Sequence, residues 1–194
     1  MITKISISDT EKYLKDVLPE NRYEHTLRVG LLAKDLAKQY NIDPEKAYLT
    51  GILHDVAKKR EDELLKKYDI SSFIPDEDLE KYFPILHSAL GAMEAKEVFG
   101  IQDQEMLDAI CYHTTGRPKM GTLEKIVYIA DSCEPNRKGD FVSEIREIAF
   151  ENVDLAVLKL MDFSLKICIE RDRVIHPLTI EARNYYLQKG VDFE

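Results

Sequence analysis

The sequence contains no tryptophan and only 3 cysteines in 194 residues. Cys111, Cys133 and Cys168 are odd in number, widely spaced and embedded in apolar sequence, and no Cys-x-x-Cys pair occurs. This pattern excludes a disulfide-stapled framework and indicates buried free thiols in a reducing compartment.

Long apolar runs are also missing. Residues 1–7 have neither the apolar core nor the small-residue cleavage pattern of a secretory signal. The most apolar later stretch, residues 154–169, is interrupted by Lys159, Asp162 and Lys166. It falls short of the roughly 20 apolar residues that a membrane span needs. We therefore expect a cytoplasmic protein without a membrane partner.

An excess of positive charge is absent as well. The chain has 27 Lys and Arg against 36 Asp and Glu, for a formal net charge of -9. This balance disfavours a broad nucleic-acid-binding face and binding to an anionic membrane surface. A small phosphorylated ligand stays compatible with it where cations are concentrated locally.

Strand signals are nearly absent, whereas helix start and stop signals recur along the chain. The sequence therefore predicts an all-α fold, a helical bundle in a single domain over residues 1–194. A capping box at residues 8–11 starts the first helix, and Asp43-Pro44-Glu45 starts the third. Further boundaries are predicted at Gly100, Asp103, Thr122, Thr179 and Gly190.

Between these signals, a long helix is expected over residues 21–40, and a helix from residue 43 onward contains His54 and Asp55. Residues 61–83 are charged and interrupted, which predicts short surface helices. Two or three helices are expected over residues 141–187. Their apolar stripe of Leu155, Leu158, Met161 and Leu165 is interpreted as core, with a homodimer interface as the alternative.

Histidines and aspartates in apolar, helix-compatible settings are the main chemical signal. Helices project such side chains rigidly into a bundle core, where imidazole nitrogens and carboxylate oxygens converge on a metal ion. Neighbouring helical residues diverge by about 100°, so His54 and Asp55 are expected to straddle a cleft, with the carboxylate between two metals. The candidate ligands are His25, His54, Asp55, His87, His113 and Asp131.

Each candidate also has a structural interpretation. A single buried histidine more often bonds a backbone carbonyl than a metal. A buried aspartate without a cationic partner costs several kcal/mol, a penalty that a metal ion removes. Because the candidates lie inward on separate helices, the set favours a metal site. His176, before Pro177, is interpreted as solvated or structural.

The ordered pattern of these residues resembles the HD-domain metal-dependent phosphohydrolases, an all-helical superfamily named for the His-Asp dipeptide. The runs at residues 113–118 (HTTGRP), 129–137 (IADSCEPNR) and 179–184 (TIEARN) are similar to its YqeK subgroup. That subgroup comprises bacterial symmetrical bis(5'-nucleosyl)-tetraphosphatases. The resemblance covers roughly residues 20–187, and no ligand of its pattern is missing.

The resemblance implies a dinuclear metal site, commonly of iron, that splits diadenosine tetraphosphate into two ADP through a metal-activated hydroxide. It implies one ion held by His25, His54, Asp55 and Asp131, and a second ion, bridged by Asp55, held by His87 and His113. The donor set suits iron, manganese or zinc better than magnesium, in the divalent or trivalent state.

The substrate's negative charge requires local cations in an acidic protein. We expect Lys58 and Arg117 to contact phosphate and to take part in catalysis with Asp55, and Arg22 and Arg137 to contribute further contacts. Thr114 and Thr115 could donate hydroxyl hydrogen bonds to phosphate or cap the helix before Gly116, and the sequence leaves this choice open. The alternative for each cation is a solvated surface charge.

Base recognition has no clear signature. Tyr23, Tyr82, Phe83 and Tyr112 could stack on a purine, although core packing is the commoner role for each. Three alternative functions stay open: another phosphohydrolase on the same scaffold, such as a nucleotidase or alarmone hydrolase; an HD-type di-iron oxygenase; and a metal-free regulatory module.

Overall fold

The computed structural model describes residues 6–189, and within them the chain forms α-helices without a β-strand. The all-α prediction is confirmed. The predicted boundary at Gly190, and most of the amino-terminal stretch considered for a signal, lie outside the described residues. The helices are α1 Ile7–Val17, α2 Glu20–Gln39, α3 Pro44–Leu53, α4 Glu61–Leu64, α5 Leu86–Phe99, α6 Gln104–Tyr112, α7 Thr122–Cys133, α8 Asp140–Glu151, α9 Val153–Glu170 and α10 Pro177–Gln188.

Several predicted helix boundaries are confirmed. The Asp43 side chain accepts hydrogen bonds from the first amides of α3, with a proline at the start of the helix. Asp103 caps α6 in the same way. Gly100 ends α5 at φ 66°, in the left-handed conformation that favours glycine.

Three predicted starts are wrong by one or two residues. Ser6, rather than Ser8, caps α1, because the sequence contains two overlapping Ser-x-x-acid patterns and the earlier one forms. Gly121, rather than Thr122, precedes α7, and its amide donates to the Glu124 carboxylate at 2.7 Å. The last helix begins at Pro177 instead of Thr179.

Residues 61–83 form short helical pieces as predicted, including a 3-10 turn at Asp76–Asp78, but the segment is not only a surface element. Its apolar side chains are spaced irregularly between charges, which hides them from a periodicity search. They form a small core against α5, comprising Leu64, Tyr68, Ile70, Ile74 and Tyr82 with Leu86, Ala89 and Leu90.

The carboxylate of Glu94 ties this segment to its surroundings. Its side chain is 1% exposed and accepts hydrogen bonds from Tyr68 at 2.6 Å and Tyr13 at 2.7 Å. Arg60 and Lys67 donate to it at 3.2 Å each. Burial disfavours the charge, but these donors outweigh that effect and lower the pKa of Glu94. Glu94 therefore joins α1 and the residue 60–68 region to α5.

The main core lies between α2, α7 and α9, with α8 and α10 packed outside. Leu158 and Met161 of the α9 stripe are fully buried there, which confirms their interpretation as core. Helices α2 and α3 touch backbone to backbone: a Cβ atom on Gly51 would lie 2.8 Å from the Cα atom of Gly30. At this point the backbone of α2, which carries His25, lies directly against that of α3, which ends before His54, while the Ile52 and Tyr48 side chains pack onto Gly30.

Among residues 6–189, no helix combines the length and the apolar character needed to cross a bilayer.

Candidate metal centre

The six predicted ligands come together from five places in the chain. His25 lies in α2, His87 in α5 and Asp131 in α7, whereas His113 directly follows α6. Helix α3 ends at Leu53, so His54 and Asp55 lie at and after its end, and their predicted position inside the helix is wrong. The ligand atoms form three groups, each within 4.8 Å: His25, His54 and Asp55; His54, His113 and Asp131; and Asp55, His87 and His113.

The Asp55 carboxylate lies between two sets of histidines. Its Oδ2 atom is 3.3 Å from Nε2 of His54 and 3.9 Å from Nε2 of His25. Its Oδ1 atom is 3.3 Å from Nε2 of His87 and 3.8 Å from Nε2 of His113. Each oxygen of this carboxylate therefore faces a different pair of histidines.

Asp131 lies next to the pair of histidines that faces Oδ2 of Asp55, namely His25 and His54. Its Oδ1 atom lies 3.0 Å from Nε2 of His25 and 3.6 Å from Nε2 of His54. Asp131 is also the most exposed of the six, with 22% of its side chain accessible, whereas no other exceeds 6%. The cluster therefore meets solvent on the Asp131 side.

Backbone carbonyls fix the orientation of two ligands. Nδ1 of His54 lies 2.6 Å from the Gly51 oxygen, and Nδ1 of His113 lies 2.8 Å from the Ile110 oxygen. A carbonyl only accepts, so Nδ1 donates in both, which directs the Nε2 atoms into the cluster. Such outer hydrogen bonds set the tautomer of metal-binding histidines.

Glu134, which is not among the predicted site residues, accepts the corresponding outer hydrogen bond from His25. Its Oε1 atom lies 3.2 Å from Nδ1 of His25, while Oε2 accepts from Nε of Arg28 at 2.8 Å and from the Asn136 amide at 2.7 Å. The side chain is 3% exposed. Its spacing of three residues from Asp131 at the end of α7 is the sequence signal that could have identified it.

The chemistry of the cluster fits a metal ion. Nε2 of His54 is buried and forms no hydrogen bond within residues 6–189. Burial disfavours its protonation, but the Asp55 and Asp131 carboxylates outweigh this and raise the pKa of His54 to about 10. The cluster thus attracts positive charge. Burial lowers the pKa of His113 to about 4 and keeps that imidazole neutral, as ligation requires.

Three of the predicted cations lie beside the ligands. Arg22 donates to Oδ2 of Asp55 at 2.7 Å, and Arg137 lies 3.6 Å from Oδ1 of Asp131. Nζ of Lys58 is 3.0 Å from Nδ1 of His87, and burial lowers the pKa of this lysine.

Arg117 is engaged elsewhere. Its guanidinium donates to both carboxylate oxygens of Glu124, at 2.6 and 3.0 Å, and to Asp108 at 2.8 Å. It also lies 4.9 Å from the Tyr112 ring centroid. These contacts connect α6 to α7, and the expected phosphate contact of Arg117 stays a prediction.

The two threonines after His113 differ in their surroundings. The Thr115 hydroxyl is buried and donates to the Gly116 carbonyl at 2.9 Å. The Thr114 hydroxyl lies 3.3 Å from that of Ser88. Gly116 has φ 64°, so the chain turns sharply there.

Comparisons with known proteins agree with this geometry. A bis(5'-nucleosyl)-tetraphosphatase, symmetrical, from Staphylococcus aureus is 37% identical over 94% of this chain and 95% of its own length. The protein of the same name from Bacillus subtilis is 34% identical over 89% and 92%. A solved structure from Clostridium acetobutylicum, described as a predicted HD superfamily hydrolase involved in NAD metabolism, is 40% identical with a TM-score of 0.87, covering 95% of this chain and 98% of that one.

The family model described as HD domain matches residues 22–136, a range that begins at Arg22 and includes all six candidate ligands and Glu134. This match covers more than half of the chain, and the similarity to the relatives extends beyond it on both sides. The chain therefore belongs to the HD domain family.

Proposed function

We propose that the protein hydrolyses dinucleoside tetraphosphates symmetrically, converting diadenosine tetraphosphate and water into two ADP. The observation that carries this proposal is the division of the Asp55 oxygens between two histidine pairs, in a chain similar over most of its length to relatives named for this reaction. The anhydride bond between the two central phosphates breaks, and the oxygen of water ends on one of the two products.

Two metal ions are part of this proposal. His25, His54, Asp55 and Asp131 would hold one, and Asp55, His87 and His113 the other. When bound, they supply a nucleophilic water at neutral pH and neutralise charge on the phosphates. We propose iron, with manganese and zinc as ions that the same donors accept.

The chain's own cations orient the polyphosphate in this proposal. Arg22 and Arg137 lie beside the aspartates of the cluster, Arg137 next to the exposed Asp131. Lys58 lies on the far side, against His87. Together they surround the cluster with positive charge in an otherwise acidic protein, which the roughly four negative charges of the substrate require. ADP leaves readily, so a dedicated general acid is less necessary.

The test combines metal analysis with product analysis. The purified protein is assayed with diadenosine tetraphosphate, its guanine counterpart, mononucleotides and NAD, the last because the Clostridium acetobutylicum relative is described as involved in NAD metabolism. We expect two ADP as the only products of diadenosine tetraphosphate and loss of turnover after chelation. Phosphate release from a mononucleotide without turnover of the tetraphosphate would overturn the proposal in favour of a nucleotidase.

Two further outcomes would indicate a different class of protein. Oxygen uptake that depends on substrate would indicate an oxygenase, whereas full activity after reconstitution with redox-inert zinc would exclude one. Elemental analysis without a bound transition metal, together with no turnover, would indicate a regulatory module.

A further inference from the structure

A cavity of about 470 Å³ lies beside the metal centre. Its lining begins one residue after His113, at Thr114, and includes Pro84, whose carbonyl oxygen is 3.3 Å from Nζ of Lys58. The far wall comes from the end of α9 and the loop before α10, including Cys168. The cavity therefore extends from the residues next to His113 and Lys58 toward the carboxyl-terminal helices.

One wall of this cavity is aromatic. The ring centroids of Tyr82 and His176 are 4.7 Å apart, and His176 stacks on Phe73 behind it with a centroid distance of 5.9 Å and an interplanar angle of 11°. Nδ1 of His176 accepts a hydrogen bond from the Leu178 amide at 3.3 Å, which holds the imidazole in place at the start of α10. The Tyr82 and His176 rings are inclined at 64° to each other, so a nucleobase can stack on one of them and contact the other at its edge.

The rest of the lining is polar or cationic. Thr114, Ser164 and Thr179 contribute hydroxyl groups, which can hydrogen-bond the edge of a base or a ribose. Lys81 lies 4.5 Å from the Tyr82 ring centroid, and the exposed Arg173 forms no ion pair within the described part of the chain. The volume falls in the range of about 300 to 1,000 Å³ typical of small-molecule sites with a few placed polar groups.

We propose that this cavity binds the nucleoside of one half of the dinucleoside tetraphosphate, with the base against Tyr82 and His176 and the phosphates directed past Thr114 toward Lys58. The proposal rests on the proposed function and names its nucleoside subsite. One half of the substrate is then anchored in the cavity, and the water attacks at a fixed distance along the phosphate chain from that anchored base. A single anchoring site is sufficient for symmetrical cleavage.

Cys168 allows a test on the native protein. Cys133 is buried, whereas Cys168 lines the cavity, so N-ethylmaleimide that enters the cavity is expected to alkylate Cys168, and mass spectrometry separates this site from the partly exposed Cys111. We expect ADP to slow alkylation of Cys168 at least fivefold, as measured by mass spectrometry, and inorganic pyrophosphate at the same concentration to leave it within 1.5-fold. Equal rates with and without saturating ADP would overturn the assignment of the cavity.

Adjacent substitutions give an independent readout. Cys168→Trp fills the cavity, whereas Ile169→Trp places the same side chain at a neighbouring position whose residue is 68% exposed. We expect Cys168→Trp to raise KM for diadenosine tetraphosphate at least tenfold with kcat and metal content within threefold of wild type, and Ile169→Trp to change KM less than twofold. A folded Cys168→Trp variant with unchanged KM contradicts the proposal, and a variant that does not fold leaves the alkylation experiment as the deciding one.

Failure of this proposal and failure of the proposed function are distinguishable. Hydrolysis of the tetraphosphate by the wild type without protection of Cys168 overturns the nucleoside subsite alone. Absence of that hydrolysis in the metal-loaded wild type overturns the proposed function, whichever way the alkylation comes out.

Discussion

Replacing Glu134 by glutamine tests whether a buried carboxylate outside the ligand set controls the metal centre. The substitution keeps the shape of the side chain and removes its charge. Three donors converge on Glu134: the His25 imidazole at Oε1, and the Arg28 side chain and Asn136 amide at Oε2. A glutamine has only one acceptor oxygen, so at least one of these donors loses its partner.

The loss is expected at His25. If the glutamine oxygen keeps the two donors at the Oε2 position, its NH₂ group faces Nδ1 of His25. That arrangement favours the tautomer in which Nδ1 accepts and Nε2 carries the proton, and a protonated Nε2 cannot bind a metal. Mutation of such outer partners typically lowers metal affinity about 10- to 100-fold. This corresponds to about 1.4 to 2.8 kcal/mol of binding free energy.

The assay is competition for metal with a chelator of known affinity, with circular dichroism to verify folding. Glu24→Gln is the matched control, because Glu24 is 59% exposed and lies 3.6 Å from the same Arg28 without contacting His25. We expect the control to retain metal affinity within twofold. If the folded Glu134→Gln variant also binds metal within twofold of wild type, Glu134 does not position His25 and the tautomer argument is refuted.

The remaining predictions concern a ligand, an ion pair and a pH dependence. Asp55→Ala should lose both metal and turnover in elemental analysis and product assays, because both of its oxygens face histidines; an active, fully metallated variant would refute the site. Arg117→Ala should retain metal and lower the free energy of urea unfolding by about 1 to 3 kcal/mol, since it leaves the buried Glu124 carboxylate without its two-point partner. A higher KM at unchanged stability would instead support the phosphate contact of Arg117. Because the folded-state pKa of Glu94 is lowered, its ionised form contributes stability above about pH 4.3, the ordinary pKa of glutamate, and that contribution is lost as the pH falls through the folded value. Glu94→Gln should therefore destabilise the protein more at pH 7 than at pH 3 in urea unfolding, and an equal difference at both values would count against this linkage.

The candidate ligands could be identified from the sequence because each lies in an apolar, helix-compatible stretch and carries a side chain that is costly to bury alone. Their order and spacing along the chain then resemble the pattern of the HD-domain phosphohydrolases. The predicted position of His54 and Asp55 inside a helix is wrong, since α3 ends at Leu53 and both residues follow it. Helical periodicity cannot indicate where a helix stops without a glycine or proline signal.

Other parts of the site depend on contacts between distant residues. Glu134 contacts His25, 109 positions earlier in the sequence, so no local pattern connects them. The sequence predicts a phosphate contact for Arg117 because it follows His113, and no local pattern indicates its ion pairs with Asp108 and Glu124. His176 reads as a loop residue before a proline, and only the packing of the α9–α10 connection against residues 73–82 places it on a cavity wall.

The contact between Gly30 and Gly51 has a consequence for how this protein can change over evolution or by design. Because the two backbones touch directly and the Ile52 and Tyr48 side chains pack onto Gly30, the spacing between the helix of His25 and the end of α3 before His54 depends on main-chain atoms and on these two side chains alone. Core positions farther along α2, α7 and α9 can then exchange one aliphatic residue for another, for example to raise thermal tolerance, without altering the distance between these two histidines. A side chain at either glycine would push α2 and α3 apart and change the distance between these histidines. The two glycines therefore allow the core to vary without altering the metal centre.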